Sequence, residues 1–341
     1  MLLRKAVFFL CFAILLEPLE AAGEPGAQWR VFRYRMAGRV RLLLFWVGRE
    51  DVGGGTIALL NSPAAEGKQG EAVEVLFGSN PNRVPGKINR WGYGRESSEW
   101  QGSSSGPSIL LSSTFEGFMR HSDEESLSEV KNRQAEDTFW YDGIQSRVTP
   151  DGATAIVHFF SEKKDFDYTQ PAGVECGYRR RLKAGPPDRS RQLKKTEFPY
   201  PQPFGFLTAV KYLVREVSDR FAKRSPKWAA YRPELSYVYN AKPYEIAISD
   251  LEHHREYEPA AGWQVKDVIE AEFRVTNLKT QEKHNFSLWF PTTGPLRNIP
   301  LKIVDKPRWW LRVELTLDPA SGKQGGTAQT SGVMPECGVT R

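Results

Sequence analysis

The chain has 341 residues, with 47 Lys and Arg against 41 Asp and Glu, a formal net charge of +6, and ten tryptophans and 19 phenylalanines. That length can bury a large core, either as one β domain or as two smaller ones. Three cysteines, Cys11, Cys176 and Cys337, are too few for a four-cysteine metal site. So modest a positive charge bears on solubility and on attraction for anionic lipid or polysaccharide more than on fold. There is no nucleic-acid-binding motif.

The N-terminus has the order of an export signal. Met1–Lys5 carries two positive charges, an apolar run follows from Ala6 to Leu16, and Ala21-Ala22-Gly23 offers a cleavage region. The run is shorter than the roughly 20 residues of a permanent span. The expectation is a signal peptide over residues 1–22 and a periplasmic or extracellular mature chain that carries no integral membrane span. In an oxidising compartment Cys176 and Cys337 can pair; the alternative is two separate thiols.

Next come strands. Phe32, Tyr34 and Met36 alternate with Val31, Arg33 and Arg35, and Arg39–Val47 is nearly continuous in apolar residues from Leu42 onward, which predicts a strand covered on both faces. Gly53-Gly54-Gly55 then bends or loosens the chain before Ile57–Leu60. Residues 61–70 read as a loop and Ala72–Phe77 as a short strand. Residues 97–108 are rich in Ser and Gly and read as exposed. Asp123–Gln134 reads as a surface helix, with Ser122 and Glu125 spaced as a capping box. Strand character returns at Gln145–Val148 and Thr154–Phe160, around the turn Pro150-Asp151-Gly152. Residues 183–205 read as a long basic, proline-rich loop.

The strongest helix is Phe206–Phe221, where Phe206, Val210, Leu213, Val214, Val217 and Phe221 recur at helical spacing and one side should pack on a sheet. The last third alternates strictly at Ile269–Val275, His284–Phe290 and Trp309–Leu317, with Asn277–Glu282 as a hairpin turn. His284 falls on an apolar face and reads as a hydrogen-bonded core histidine. The expected organisation is one β-rich domain at 23–318, with insertions at 61–145 and 183–205, and a flexible tail at 319–341.

Neither a His-Glu-x-x-His nor a Gly-x-Ser-x-Gly pattern is present. Adjacent His253 and His254 point to opposite sides of a strand, which disfavours two-point metal binding. The notable stretch is Arg83–Arg95. Arg83, Lys87, Arg90 and Arg95 suit phosphate or carboxylate groups, while Trp91 and Tyr93 suit a sugar face or a lipid tail. These six are the candidate ligand-binding residues; no catalytic residue, metal site or cofactor is assigned.

Within Phe286–Leu317, Leu288-Trp289-Phe290, then Ile299-Pro300-Leu301-Lys302-Ile303, then Trp309 through Leu317 resemble the end of exported curved-sheet domains related to periplasmic lipoprotein carriers. Tyr34 through Gly48 resembles the opening strands of that family. The resemblance implies a mainly β (α+β) fold, with a large curved antiparallel sheet or partly open barrel packed against one main helix, and the handling of lipid or lipoprotein at the envelope.

The leading expectation is an exported, non-enzymatic binding protein for an amphiphile or envelope polymer. It would bury an apolar group in a β-sheet cleft with basic rim contacts, its partner a lipid, a lipoprotein or an anionic polymer. One alternative is an exported glycan or lipid hydrolase drawing on Asp151, His158, Asp165, Asp167, Glu252 and His253. Another is an assembly factor of the cell envelope.

Overall fold

The computed structural model describes residues 28–42, 45–61, 68–84, 90–102, 108–120, 139–162, 189–196, 203–223, 228–308 and 311–330. The expected signal segment, the helix at Asp123–Gln134, Cys176, Cys337, Lys87, Asp165 and Asp167 lie outside them.

The first half of the chain is a run of antiparallel strands: β1 (Gln28–Leu42), β2 (Phe45–Asn61), β3 (Lys68–Ser79), β4 (Trp91–Gln101), β5 (Ile109–Arg120), β6 (Phe139–Thr149), β7 (Gly152–Glu162) and β8 (Arg189–Thr196). Helix α1 (Phe206–Ala222) follows. The second half is β9 (Glu234–Tyr239), β10 (Lys242–Ala260), β11 (Trp263–Asn277), β12 (Lys283–Pro291), β13 (Lys302–Arg308) and β14 (Leu311–Leu317), then α2 (Pro319–Lys323) and β15 (Thr327–Thr330). The spatial order is β8-β7-β6-β5-β4-β3-β2-β1-β14-β13-β12-β11-β10-β9. Every neighbour in this order is also a sequence neighbour except β1 and β14, which join the two ends of the chain antiparallel from Tyr34↔Leu317 to Val40↔Leu311.

The connections show why the chain turns where it does. Asn240 and Ala241 both take positive φ, the geometry of a two-residue hairpin turn between β9 and β10. The Asn277 side chain accepts the N–H groups of Lys279 (2.9 Å) and Thr280 (3.1 Å), closing the β11–β12 turn. Pro150 and Asp151 link β6 to β7, with Gly152 at φ 151°.

The sheet is strongly bent and nearly closed around α1. The Phe115 ring of β5 lies 5.5 Å from that of Tyr239 on β9, and Val148, Ala153 and Val238 form one buried cluster, so edge strand β9 returns to the first half of the sheet. Helix α1 buries Ala209, Leu213, Val214 and Val217 against Ile246 and Ile248 of β10, Ile269, Ala271 and Phe273 of β11, and Leu288 and Phe290 of β12. On its other side it meets Trp100 of β4, whose ring stacks on Tyr212. The expected mainly β fold, a large curved antiparallel sheet with one main helix, is the fold observed.

Several local expectations are corrected. Arg39–Val47 is not one strand covered on both faces. The chain reverses within it, β1 ending at Leu42 and β2 starting at Phe45, and Val40, Trp46 and Val47 are 37, 42 and 54 % exposed. Gly53, Gly54 and Gly55 continue β2 rather than loosening it. A Cβ on Gly55 would collide with the Leu76 carbonyl oxygen, so glycine permits the close approach of β3. The 61–145 stretch supplies β3 to β5 and most of β6, full members of the sheet, and 183–205 contains β8. Beyond Asp318 the chain continues as α2 and β15, and β15 pairs with β1 from Gln28↔Thr330 to Val31↔Thr327. His284 is half exposed, and its Nε2 lies 2.7 Å from Asp305 Oδ1. None of the described helices is long and apolar enough to cross a membrane, which says nothing of strands.

Candidate functional site

Because the strands alternate in direction, the ends of β1, β3, β9, β11 and β13 and the starts of the strands that follow them share one rim of the sheet. The β3–β4 connection, which contains the candidate residues, lies on this rim. Its described part is fixed by its own backbone: Arg83 N–H donates to Asn80 O (2.9 Å), Asn80 Oδ1 accepts from Asn82 N–H (3.0 Å), and Ser79 Oγ both accepts from Arg90 N–H (2.8 Å) and bonds Arg90 O (3.1 Å). The side chains of Arg83 and Arg90 are exposed, and Arg83 makes a 3.4 Å ion pair with Asp51.

The remaining candidates are on β4 and are buried. Alternation puts Trp91, Tyr93 and Arg95 on one side of the strand and Gly94, Glu96 and Ser98 on the other. The Trp91 ring packs on Phe118 (5.4 Å) and Tyr141 (5.6 Å). Tyr93 packs on Phe118 and donates its hydroxyl to Glu74 Oε2 at 3.1 Å. Arg95 places its guanidinium 5.1 Å from the Trp29 ring centre, opposite Glu74 on β3 and Glu116 on β5. The structure thus divides the candidate set: Trp91, Tyr93 and Arg95 build the wall, and Arg83 and Arg90 stand on the rim.

Residue-type reasoning missed the other cations of this rim. Arg41 and Arg49 flank the β1–β2 connection, Lys242 starts β10, and Lys279 sits in the β11–β12 turn; all four are exposed. Among the described residues neither Arg41 nor Arg49 has a carboxylate within ion-pair distance, whereas Arg39 is tied to Glu314 at 2.6 Å and to Glu50 at 3.3 Å. The signal was present in the sequence, since Arg39, Arg41 and Arg49 bracket the apolar run.

On the opposite side of β4, Glu96 is buried and accepts Leu207 N–H with Oε2 (3.0 Å) and Thr208 N–H with Oε1 (2.9 Å). Burial pushes this carboxyl up, and hydrogen bonds from Thr208 and Leu207 pull against it without winning. It takes the place of the capping side chain that Gly205 lacks, so its role is to seat α1 in the sheet.

The residues weighed for hydrolysis are spread over several elements. Asp151 is in the β6–β7 turn and His158 on β7, while Glu252 and His253 alternate on β10. His253 packs against Phe221 (4.6 Å) and Trp228 (6.0 Å) and bonds Asp267 at 3.2 Å. A different trio converges: the donor atoms of Glu252, His254 and Glu270 lie within 4.8 Å of one another, with His254 Nε2 3.1 Å from Glu270 Oε2. Glu252 and Glu270 border a small polar cleft shared with Asp250, Glu272 and Ser287. Such a set has the chemistry to attract a divalent cation, but Glu252 is exposed to water and His254 and Glu270 are already bonded to each other.

No family model matches the chain, and no curated protein matches it. Among solved structures it is similar to a beta-barrel-like protein of the domain of unknown function DUF1849 from Brucella abortus. The identity is 7 % and the TM-score 0.38, over 86 % of this chain and 95 % of that one. The similarity is thus partial, and it is to that protein rather than specifically to lipoprotein carriers.

Proposed function

We propose that the protein is a non-enzymatic binding protein of the cell envelope that holds an anionic amphiphile or envelope polymer at its basic rim. The observation that carries this reading is the gathering of Arg41, Arg49, Arg83, Arg90, Lys242 and Lys279 at one end of the sheet, all of them exposed. Of the acids on this rim, Glu50 and Asp51 are engaged with Arg39 and Arg83, Asp305 with His284, and Glu282 accepts from Thr280. A rim with an excess of positive charge concentrates anions there, and the effect weakens with salt.

The rim also has apolar surface beside its charge, in Val40, Trp46, Val47 and Leu278. The concave side of the second half of the sheet is taken up by α1, whose Leu213, Val214 and Val217 are fully buried. The ligand's apolar part is therefore placed at the rim and not beneath the helix. Export of the chain, read from residues 1–22, supplies the compartment in which lipid and anionic polymer are met.

Titration with monomeric lysophosphatidylglycerol and with its zwitterionic choline counterpart tests the reading. The anionic lipid should bind more tightly, less so at high salt, and an Arg83→Glu/Arg90→Glu variant should lose about tenfold or more in affinity. Equal affinity for the two lipids, or an unchanged variant, contradicts it.

A further inference from the structure

The β1–β2 hairpin extends beyond the sheet that supports it. On one side β2 pairs with β3 only from Gly53 to Asn61, so Phe45–Val52 runs on without a ladder partner there among the described residues. On the other side β14 accompanies β1 only as far as Val40↔Leu311. The register between β1 and β2 shifts between Met36/Gly53 and Gly38/Arg49, where Asp51 takes φ 54°. Beyond that bulge the hairpin runs on for five residues per strand, about 17 Å at about 3.3 Å each, with β14 still paired to Gly38–Val40 and only Arg41–Leu42 and Phe45–Trp46 left as a two-stranded end.

Its chemistry is banded. Val40 and Val47 are register partners, exposed at 37 and 54 %, and Trp46, opposite Arg41, is 42 % exposed. The sequence between Arg41 and Trp46 is Leu-Leu-Leu-Phe. Arg41 stands level with Trp46 and Arg49 three residues further back, both without carboxylate partners among the described residues, whereas Arg39 lies across Gly48 to hold Glu314. An exposed tryptophan and valine with one arginine beside them and another set back is the pattern of an interfacial membrane contact. The ring sits at headgroup depth and the guanidinium groups meet lipid phosphate. A strand arm exposing large apolar side chains is otherwise an aggregation hazard.

We propose that this arm docks the protein on the surface of an anionic lipid bilayer, with Trp46 and Val47 entering the headgroup region and Arg41 and Arg49 binding phosphate. The docking goes beyond the ligand reading above, because it concerns an intact bilayer and a surface outside the β3–β4 connection. It also gives the rim a purpose, since a protein held by this arm turns its rim toward the lipid.

The test is co-sedimentation of the full chain with vesicles of phosphatidylglycerol and phosphatidylcholine, against vesicles of phosphatidylcholine alone. The protein should partition to the anionic vesicles, and Trp46→Ser/Val47→Ser should lower the partition coefficient roughly tenfold. Arg41→Glu should lower it about fivefold or more, at about 1 kcal/mol for each basic residue at the surface. Lys68→Glu, with the same charge change at the opposite end of the sheet, should leave it nearly unchanged. Equal losses for Arg41→Glu and Lys68→Glu would show attraction by net charge alone and overturn the proposal. So would absence of vesicle binding together with a dimer that Trp46→Ser/Val47→Ser dissolves, which would make the arm an interface between copies. Binding of monomeric lysophosphatidylglycerol without partition to anionic vesicles would overturn the docking and spare the ligand reading, and partition without binding of the monomer would do the reverse, so the two readings fail separately.

Discussion

Glu96 Oε1 accepts the backbone N–H of Thr208 at 2.9 Å, so a strand residue caps the helix that fills the concave side of the sheet, 112 positions along the chain. With the partner bond to Leu207 it satisfies two of the N–H groups that a helix start leaves open. Gly205 fits this arrangement, because a side chain there would run into the Glu96 carboxylate.

Glu96→Ala leaves both N–H groups without their acceptor in a buried place. Stability should fall by about 2–4 kcal/mol, the sum of a lost cap and unsatisfied donors. Urea denaturation measures this; a loss below about 0.5 kcal/mol would mean that α1 is seated by its apolar face alone.

Glu314 is buried and meets Arg39 at 2.6 Å, Lys302 at 3.0 Å and Arg312 at 2.9 Å. Burial alone pushes its carboxyl up, but the bond and charge of Lys302, the charge of Arg312 and the bond from Arg39 outweigh it and hold it below the usual carboxylate range. A depressed carboxylate contributes stability above its unfolded pKa, about 4.3, and loses it as pH falls through the folded value. Glu314→Gln should cost about 1–3 kcal/mol at pH 7, less than a fully buried pair because the cations keep water. The gap between variant and wild type should close toward pH 3; thermal unfolding at both pH values decides it.

His284 behaves with the opposite sign. The bond to Asp305 raises its pKa, partial burial pulls it back, and the charge of Asp305 adds to the rise. Its contribution is full below the unfolded value near about 6.5 and is lost as pH climbs through the folded one. NMR titration should place its midpoint above that of an exposed histidine, and Asp305→Asn should bring it down. An unmoved midpoint would show that the pair does not persist in solution.

Gly55→Ala forces a Cβ into the Leu76 carbonyl and the Phe77 ring. The β2–β3 ladder must open locally, with a loss of about 3 kcal/mol or more. Gly262→Ala makes the contrast: no atom lies within 4 Å of a Cβ there, and only the positive φ of 72° opposes it, at about 1 kcal/mol. Equal losses would mean that conformation, not close approach, governs both.

The fold was legible where one face is dry and the other wet. Ile269–Val275 and the helix from Phe206 alternate as read, because burial on one side leaves its period in the sequence. Strands buried on both sides leave no such period. On β4, Trp91, Tyr93, Arg95 and Glu96 are all buried, so its first half read as a ligand-binding stretch and its end as exposed chain. The reverse error fell on Arg39–Val47, where apolar residues signalled a covered strand but mark an exposed arm. Composition identifies an apolar run; only its neighbours reveal whether it is covered. The rim was half legible. Arg83 and Arg90 were found by their clustering, but Arg41, Arg49, Lys242 and Lys279 are gathered by strand direction, which no local window contains.

Native mass spectrometry of the gently purified protein, repeated after denaturing extraction, tests the binding reading most directly. A discrete adduct that is an anionic lipid or polymer fragment, and that is lost in Arg83→Glu/Arg90→Glu, is the result expected. A mass equal to the bare chain, with no adduct even after anionic lipid is added, would contradict it.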